Sequence, residues 1–240
     1  MKPIPKSPLK SSPLLVFGAH PDDIEFGCGG IIALETKAGR AARFVVCSRG
    51  EAGTNGTPQQ RVAEAERAAK ILGATLEFLE LDGDAHLELR AAHALKLAAI
   101  IRRLRPTIVL APTVEKNQHP DHWRLGLLVR DATRLARYGG LKELKKLPSH
   151  KITNLFFYAV TPDAEPPGAL PILIDIASPE ILKIWTAAME AHASQMKTRN
   201  YMEFQLARAK VAGMRAGVNY AQALFPNDPL VFDSLMPLAK

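Results

Sequence analysis

The segment Leu14-Leu15-Val16-Phe17-Gly18-Ala19-His20-Pro21-Asp22-Asp23 decides the fold, because an apolar, strand-like run passes directly into an imidazole and two carboxylates. A second apolar run, Thr107 to Ala111, precedes a similar cluster, His119-Pro120-Asp121-His122. Open α/β sheets collect their functional groups at the carboxyl ends of the strands. The two clusters are therefore expected to meet at one edge of a sheet.

Between and beyond the two clusters, short apolar strands alternate with helices. After the first strand, the pattern predicts strands at 43–47, 75–79 and 107–111 and helices at 24–38, 58–72, 90–104 and 122–137. Further strands are predicted at 154–160 and 173–176, helices at 179–197 and 202–214, and an irregular tail from Phe225. This alternation is typical of a parallel sheet with helices on both faces. We predict one mostly parallel α/β domain over 1–240, with 1–12 as a flexible N-terminal extension.

The composition excludes several classes of protein. With 240 residues, 47% hydrophobic and 23% charged, the chain is typical of a globular protein and not of a disordered or fibrous one. Its apolar runs are much shorter than the 18 or so residues of a membrane span, and the run after the basic start is too short for a secretory signal. We therefore expect a cytoplasmic protein without a membrane span.

The net charge and the two cysteines indicate which partners and which kinds of cysteine site are not expected. The net charge is +7, but the basic residues are spread over predicted helices, as in 142–146, and aromatic residues are only 6%. This pattern favours solvated helix faces over a nucleic-acid groove, so we expect no nucleic-acid partner. Cys28 and Cys47 lie in apolar settings, which argues against a disulfide framework or a cysteine metal site.

The two His/Asp clusters together are typical of a metal site. Catalytic zinc usually takes three protein ligands, commonly histidine nitrogen and carboxylate oxygen, plus a water. His20 and Asp23 are three residues apart across a turn, so both can face one ion, and His122 would complete the set if it opens the next helix. Adjacent Asp22 and Asp23 would be costly to bury without a cation. The alternative is that each cluster is only a turn whose Asp caps the following helix.

A third stretch, Gly50-Glu51-Ala52-Gly53-Thr54-Asn55-Gly56-Thr57, completes a colinear pattern with the two clusters. The chain thus resembles the PIG-L/LmbE family of zinc-dependent de-N-acetylases. His192-Ala193-Ser194-Gln195 looks like the family's C-terminal helix, and Asn55-Gly56-Thr57 with Arg61 is similar to members that make bacterial thiols. The resemblance implies a Rossmann-like fold and removal of an N-acetyl group from a GlcNAc-type amino sugar, often a glycoside of malate, inositol or a lipid.

The resemblance also implies roles for individual residues. His20, Asp23 and His122 match the metal ligands, for Zn²⁺ or for Fe²⁺ or another divalent metal. Asp22 matches the general base, and His119 matches the residue that stabilises the oxyanion. These roles suit the chemistry, because zinc polarises a carbonyl and lowers the pKa of its bound water to about 7. A carboxylate beside the ligands can then take the proton of that water and return it to the departing amine.

Asp121 is the remaining catalytic candidate of the second cluster. It is predicted to favour the charged form of His119 by a hydrogen bond across the Pro120 turn, so that the imidazolium donates to the oxyanion. Its alternative role is to orient His122. The sequence itself assigns no role to His86 or His192.

Substrate contacts are expected from the loop after the second strand. Arg49, Glu51 and Arg61 lie on or beside this loop, which is long enough to form one wall of a pocket. The resemblance places Arg61 and Asp84 near positions that touch the sugar. Alternatively, Arg49 and Glu51 form a surface ion pair of small energetic value, and Arg61 is solvated.

Other functions remain open from the sequence. The chain could be an amidase acting on a thiol conjugate or another metal-dependent hydrolase, such as a phosphoesterase, on the same scaffold. A dinucleotide-binding module is disfavoured, because G-x-G-x-x-G from Gly27 would need glycine where Ile32 stands. A non-catalytic scaffold is disfavoured by the complete His/Asp set. We expect a small-molecule amino-sugar substrate and a homo-oligomer.

Overall fold

Apolar runs of four to six residues form the strands of the sheet, and each predicted strand lies within two residues of its observed bounds. The computed structural model describes residues 12–236, so the predicted extension lies, except for residue 12, outside the described residues. The strands are β1 (Leu14–Gly18), β2 (Ala42–Val46), β3 (Ala74–Phe78), β4 (Ile108–Pro112), β5 (Asn154–Tyr158), β6 (Ile172–Asp175) and β7 (Ala221–Pro226).

Helices connect most of these strands, and their starts follow the sequence. Proline stands in the first turn of three of them, where its missing N–H has no intrahelical partner to lose. The helices are α1 (Asp23–Lys37), α2 (Pro58–Ile71), α3 (Ala91–Leu104), α4 (Pro120–Leu135), α5 (Pro179–Glu190) and α6 (Tyr201–Ala216). None of the described helices is long and apolar enough to cross a membrane.

The sheet has the order β3-β2-β1-β4-β5-β7-β6, and its first five members run parallel. The predicted, mostly parallel α/β architecture is therefore confirmed. β1 and β4 are direct neighbours, with Leu14 opposite Ile108 and Val16 opposite Leu110. The carboxyl ends of the strands that precede the two His/Asp clusters thus lie side by side.

Strand β7 is absent from the sequence prediction, and the irregular tail predicted from Phe225 is wrong at its start. Phe225 pairs with Phe157 in an antiparallel ladder, so β7 enters the sheet between β5 and β6. Its sequence contains two alanines and a glutamine, which give a weak strand signal. The buried Gln222 accepts a hydrogen bond from the backbone N–H of Ile31 at 2.9 Å, which compensates for its burial.

The helix predicted at 179–197 is also wrong in its second half. α5 ends at Glu190, and His192 to Gln195 form a turn that leads into a short 3₁₀ helix, Gln195–Lys197, before α6. This turn is held by buried polar contacts, including a hydrogen bond from the backbone N–H of Ser194 to Oε1 of Glu64 at 3.0 Å. The family-like motif His192-Ala193-Ser194-Gln195 is therefore a turn and not a helix.

The core lies in two layers, one on each face of the sheet. Alternate residues of β1 divide between them: Leu14 and Val16 pack with α1, α2 and α5, whereas Leu15 and Phe17 pack with α3 and α4. These strand residues are almost completely buried. The sheet is thus a rigid platform whose carboxyl edge is covered only by loops and helix starts.

Candidate active site and metal centre

The two His/Asp clusters converge because β1 and β4 are neighbours. β1 ends at Gly18, and the chain turns through His20 into α1, which begins at Asp23. β4 ends at Pro112, and α4 begins at Pro120 with His119 as its N-cap. Nδ1 of His20 lies 3.2 Å from Nε2 of His122, although the two residues are 102 positions apart in the chain.

Asp23 adds a carboxylate to these two histidines, so that three side chains offer converging ligand atoms. Its Oδ1 lies 3.0 Å from Nε2 of His122, and its Oδ2 lies 3.5 Å from Nδ1 of His20. Ligand atoms about 2.0–2.1 Å from a tetrahedral zinc would be about 3.3 Å from one another. All three side chains are buried. The donor set of two imidazoles and one carboxylate therefore fits a divalent metal.

The charges around these ligands also fit a cation. Burial acts to raise the pKa of Asp23, but His122 and His20 outweigh it and hold the pKa well below its usual value. Burial acts to lower the pKa of His20, but Asp23 and hydrogen bonds to Asp121, Asp23 and Asp84 raise it well above its usual value. Three carboxylates thus surround one buried imidazole, an arrangement that requires a proton or a metal ion for compensation.

Asp84 and Asp121 lie on the other side of the same imidazole. Nε2 of His20 is 3.0 Å from Oδ1 of Asp84 and 3.2 Å from Oδ2 of Asp121. Oδ2 of Asp121 also accepts the backbone N–H of Ala85 at 2.7 Å. These carboxylates orient His20 so that Nδ1 points at the ligand set, as carboxylates commonly do behind metal-bound histidines.

This placement corrects the role predicted for Asp121. Its carboxylate contacts His20 and not His119 or His122. His119 instead uses Nδ1 to accept the backbone N–H of Asp121 at 3.3 Å, so its neutral ring carries the proton on Nε2. Burial and the charges of His20 and His122 lower the pKa of His119. The accepting Nδ1 and the lowered pKa favour a neutral donor at His119 over the predicted imidazolium.

Asp22 lies beside the ligand set in an unusual backbone conformation. Its φ is 114°, a left-handed value that non-glycine residues rarely adopt and that is often found at functional sites. Burial and the neighbouring charge of Asp23 raise the pKa of Asp22 to about 6, against the opposing effect of Arg61. A carboxylate with this pKa can both accept and release a proton near neutral pH.

Arg61 joins the loop to the first cluster and is buried, which excludes the solvated alternative. Its guanidinium donates to the carbonyl oxygens of Pro21 at 3.0 Å and Gly50 at 3.2 Å, and it lies 3.5 Å from Oδ2 of Asp22. Gly50 has a φ of +73°, and a Cβ there would lie 2.1 Å from the guanidinium. A glycine is required at this crossing.

The structure does not bring Arg49 to the site. Its guanidinium pairs with the carboxylate of Glu80 on the surface, where both side chains are about half exposed. Glu51 does not pair with that guanidinium. Its carboxylate instead accepts the backbone N–H of Arg49 at 3.1 Å and of Asp84 at 3.2 Å. The predicted substrate contacts of Arg49 and Glu51 are not supported, and Glu51 acts to hold the loop against the segment of Asp84.

A cavity of about 540 Å³ opens above the ligand set. The sequence singled out its polar floor and the loop that forms one wall, but it missed the wall side chains that come from segments without a chemical motif. His86 is exposed and lies outside the wall, whereas His192 is fully buried behind it, 3.4 Å from Oε2 of Glu25. Ala52, Gly53, Thr54 and Gln195 lie in the quoted motifs, and the wall residues that were missed are Phe26, Ala85, Asn117, Gln118, Val160, Thr161, Asp163 and Tyr201.

Comparison with known proteins decides the family. Residues 15–133 match the family described as PIG-L, GlcNAc-PI de-N-acetylase. A solved structure of a conserved protein from Thermus thermophilus is 34% identical, superposes with a TM-score of 0.80, and covers 91% of this chain and 96% of that one. The chain belongs to the PIG-L/LmbE family. The family resemblance seen in the sequence and the Rossmann-like fold that it implied are both confirmed.

This PIG-L chain is similar to enzymes of two kinds. It is 31% identical over 153 residues to 4-oxalmesaconate hydratase of Pseudomonas putida, a match covering 59% of this chain and 58% of the hydratase. It is 28% identical over 202 residues to diacetylchitobiose deacetylase of Thermococcus kodakarensis, covering 76% and 69%. The chain thus spans between 58% and 69% of these curated relatives. Family membership and the buried His/Asp group indicate a metal-dependent enzyme and leave both activities open.

Proposed function

We propose that this chain is a metal-dependent hydrolase that removes the N-acetyl group from a GlcNAc-type amino sugar or its glycoside. The observation that carries the proposal is that Asp22 faces the same cavity as the converging atoms of His20, Asp23 and His122, yet stands outside that set of three. A carboxylate in this position is what amide hydrolysis needs as a general base.

Three ligands and two supporting carboxylates would hold the metal. His20, Asp23 and His122 provide the donor atoms for Zn²⁺ or Fe²⁺, while Asp84 and Asp121 fix the ring of His20. When bound, the ion polarises the amide carbonyl and lowers the pKa of a water molecule.

Asp22 moves the proton in the proposed reaction. Its ionised carboxylate accepts the proton of the attacking water, and the carboxylic acid so formed protonates the departing amine. Arg61 contacts Asp22 and the carbonyl of Pro21, so it keeps the carboxylate of Asp22 in place. The pKa of about 6 suits both halves of this cycle.

His119 stabilises the charge that develops on the acetyl oxygen. Its Nδ1 is occupied by the backbone N–H of Asp121, which leaves Nε2–H free to donate into the cavity. A preorganised donor aimed at a developing oxyanion contributes typically about 10²–10³ in rate. The ring supplies this donor without carrying a charge.

The charges in the cavity favour an amino sugar over the acid anion that the hydratase relative is named for. Four carboxylates line the cavity, Asp22, Asp23, Asp84 and Asp163, against the single guanidinium of Arg61. That guanidinium already lies 3.5 Å from Asp22 and 3.8 Å from Asp84. It is thus compensated within the protein, and even with a divalent ion bound, four carboxylates against one guanidinium and the ion leave the cavity slightly negative towards a polycarboxylate substrate. Hydration of an unsaturated acid is the second candidate, supported by the relative alone.

The deciding experiment compares reactions on one preparation of metal-loaded protein. We expect release of acetate and a free amine from N-acetylglucosamine derivatives, with one divalent ion per chain by elemental analysis. Hydration of an unsaturated oxo-acid, cleavage of a thiol-conjugate amide and release of phosphate from sugar phosphates are measured in parallel. Turnover of any of these without deacetylation would overturn the proposal in favour of that chemistry.

A further inference from the structure

The turn from His192 to Gln195 carries a buried polar chain that the proposed function does not use. Ser194 is fully buried, and Gln195 lines the active-site cavity next to it. The turn lies between α5 and α6, far in sequence from both His/Asp clusters. It nevertheless contacts α2 through Glu64 and the cavity loop through Asn55.

The carboxylate of Glu64 can only accept hydrogen bonds, and this determines which groups of the turn donate and which accept. Oε1 of Glu64 accepts the backbone N–H of Ser194 at 3.0 Å and the side-chain amide of Gln60 at 3.2 Å. Its Oε2 is 2.5 Å from Oγ of Ser194. A carboxylate has no proton to give, so the hydroxyl of Ser194 must donate to it. The lone pairs of that hydroxyl then face outward as acceptors.

This direction determines how the amide of Gln195 lies. Its Nε2 is 2.8 Å from Oγ of Ser194 and 2.8 Å from the backbone oxygen of Asn55. A backbone carbonyl can only accept, so the atom facing Asn55 is the nitrogen and not the oxygen of the amide. Both amide hydrogens are thus engaged within the protein. Oε1 is left as the polar atom that Gln195 offers to the cavity.

Packing around Ser194 keeps the turn close to the loop. A Cβ at Gly56 would lie 2.8 Å from Oγ of Ser194, and Gly56 has a φ of +78°. Only glycine fits this approach without strain. The contact of Gly56 with Ser194 keeps the turn against the loop after β2. The two acceptors of the Gln195 amide, Asn55 and Ser194, are therefore held in fixed positions.

We propose that Gln195 is a specificity-determining residue whose Oε1 accepts a hydrogen bond from one hydroxyl of the bound sugar. Ser194 and Glu64 are positioning residues, since they force the amide to present its acceptor. This inference rests on the proposed function for the sugar class of the ligand. A fixed acceptor distinguishes a hydroxyl from groups that cannot donate, and a site built this way rejects an analogue that lacks the donor.

The test uses N-acetylglucosamine analogues in which one hydroxyl at a time is replaced by hydrogen or by fluorine. Fluorine cannot donate, so at one ring position both analogues should lose about 10-fold in kcat/KM with the native enzyme. In Gln195→Ala that loss should shrink to less than about 2-fold, while the other positions keep their pattern. Gln59→Ala, which alters an exposed glutamine of α2 outside the cavity lining, is the matched control and should retain the discrimination.

Two outcomes of this experiment contradict the role proposed for Gln195. The proposal is overturned if the Gln195→Ala enzyme keeps every hydroxyl preference, or if fluorine substitutes fully for the hydroxyl at the sensitive position. If no acetylated amino sugar is turned over by the native enzyme, it is the proposed function that fails.

The orientation of the amide is tested independently of any substrate. The side-chain NH₂ of Gln195 should exchange its hydrogens with solvent about 10-fold more slowly than an exposed glutamine, as measured by NMR. Glu64→Gln should remove this protection, because its amide can donate to Ser194 and release the hydroxyl. Glu66→Gln, an exposed neighbour on α2, is the control. Unchanged exchange in Glu64→Gln would overturn the positioning role even if sugars bind.

Discussion

In the proposed mechanism Asp22 transfers a proton and does not bind the metal, so its substitution should affect turnover alone. Asp22→Asn keeps the size of the side chain, and asparagine tolerates the φ of 114° better than most residues. We expect turnover to fall about 10²–10⁴-fold while the metal content stays at the native level. Deacetylation kinetics and elemental analysis measure the two effects, with exposed Asp131→Asn as the control. Near-native turnover would remove Asp22 from the mechanism.

The charge of Arg61 lowers the pKa of the Asp22 carboxyl group. Because the charge of Arg61 lowers the pKa of Asp22, Arg61→Gln should raise it above the value of about 6 in the metal-free protein. Asp22 would then remain protonated to a higher pH, so less of the base would be available at a given pH. Carboxyl ¹³C NMR titration measures the shift, and Arg67→Gln, exposed on the same helix, should leave the titration unchanged. A pKa that falls in Arg61→Gln would contradict this electrostatic assignment.

At the scale of elements, Arg102 joins α3 to the end of α4. Its buried guanidinium donates to four backbone carbonyls at and after the end of α4. Three of them also accept a backbone N–H, whereas the carbonyl of Leu147 has no other donor among the described residues. The acceptors are the carbonyl oxygens of Ala136 at 3.1 Å, Leu144 and Leu147 at 2.9 Å and Tyr138 at 2.6 Å. The guanidinium thus serves as a cap for α4 and for the short segment after it.

Arg102→Met should therefore lower the free energy of unfolding by roughly 3 kcal/mol, since it leaves the carbonyl of Leu147 without a donor, at about 1–3 kcal/mol, and removes hydrogen bonds to three further carbonyls. Arg103→Met is the matched control. Its guanidinium makes only an exposed ion pair with Glu77, so its loss should cost less than about 1 kcal/mol. Urea denaturation measures both variants. Equal losses of unfolding free energy in Arg102→Met and Arg103→Met would show that the buried hydrogen bonds of Arg102 contribute nothing to stability.

The contact between α4 and β4 depends on Gly126. A Cβ at this position would lie 2.4 Å from the carbonyl oxygen of Pro112, so Gly126→Ala must push the helix away from the strand. Since His122 is one turn earlier on α4, we expect about 1–3 kcal/mol of destabilisation and weaker metal binding. Calorimetric metal titration checks the second effect. Gly139→Ala, which meets nothing within 4 Å, should change neither quantity.

The sequence predicted those elements whose signal is local. Alternation of apolar strands and helices placed β1 to β6 and their order of appearance, and the His/Asp clusters marked the edge where the ligands meet. β7 was missed because alanines and Gln222 conceal its burial, which depends on a distant partner at Ile31. The contact of Asp121 with His20 could not be predicted either, because it depends on the docking of α4 and not on the neighbours of Asp121 in the chain.

At the scale of the whole molecule, the metal site joins two halves of the domain. His20 lies in the turn before α1, Asp23 opens α1, and His122 belongs to α4. An ion bound only by the folded chain stabilises it by mass action, by about 4 kcal/mol when free metal exceeds the dissociation constant 1,000-fold. Chelation should therefore lower Tm, and restored metal should raise it again.

Differential scanning calorimetry with and without a chelator measures this change. His122→Ala removes one of the three ligands, so its Tm should respond far less to metal or chelator. The native Tm should not respond to a monovalent salt at the same ionic strength. A native Tm that is insensitive to chelation would contradict a metal held by these residues.

The separation of the ligands by about a hundred residues also constrains how the protein is made. During synthesis, a nascent chain that has exposed only His20 and Asp23 holds two of the proposed donors, and closing the long loop to His122 costs entropy before the third donor can reach the ion. The proposed site is therefore complete only after β4 has docked on β1. Metal uptake by all three ligands would thus come late in folding.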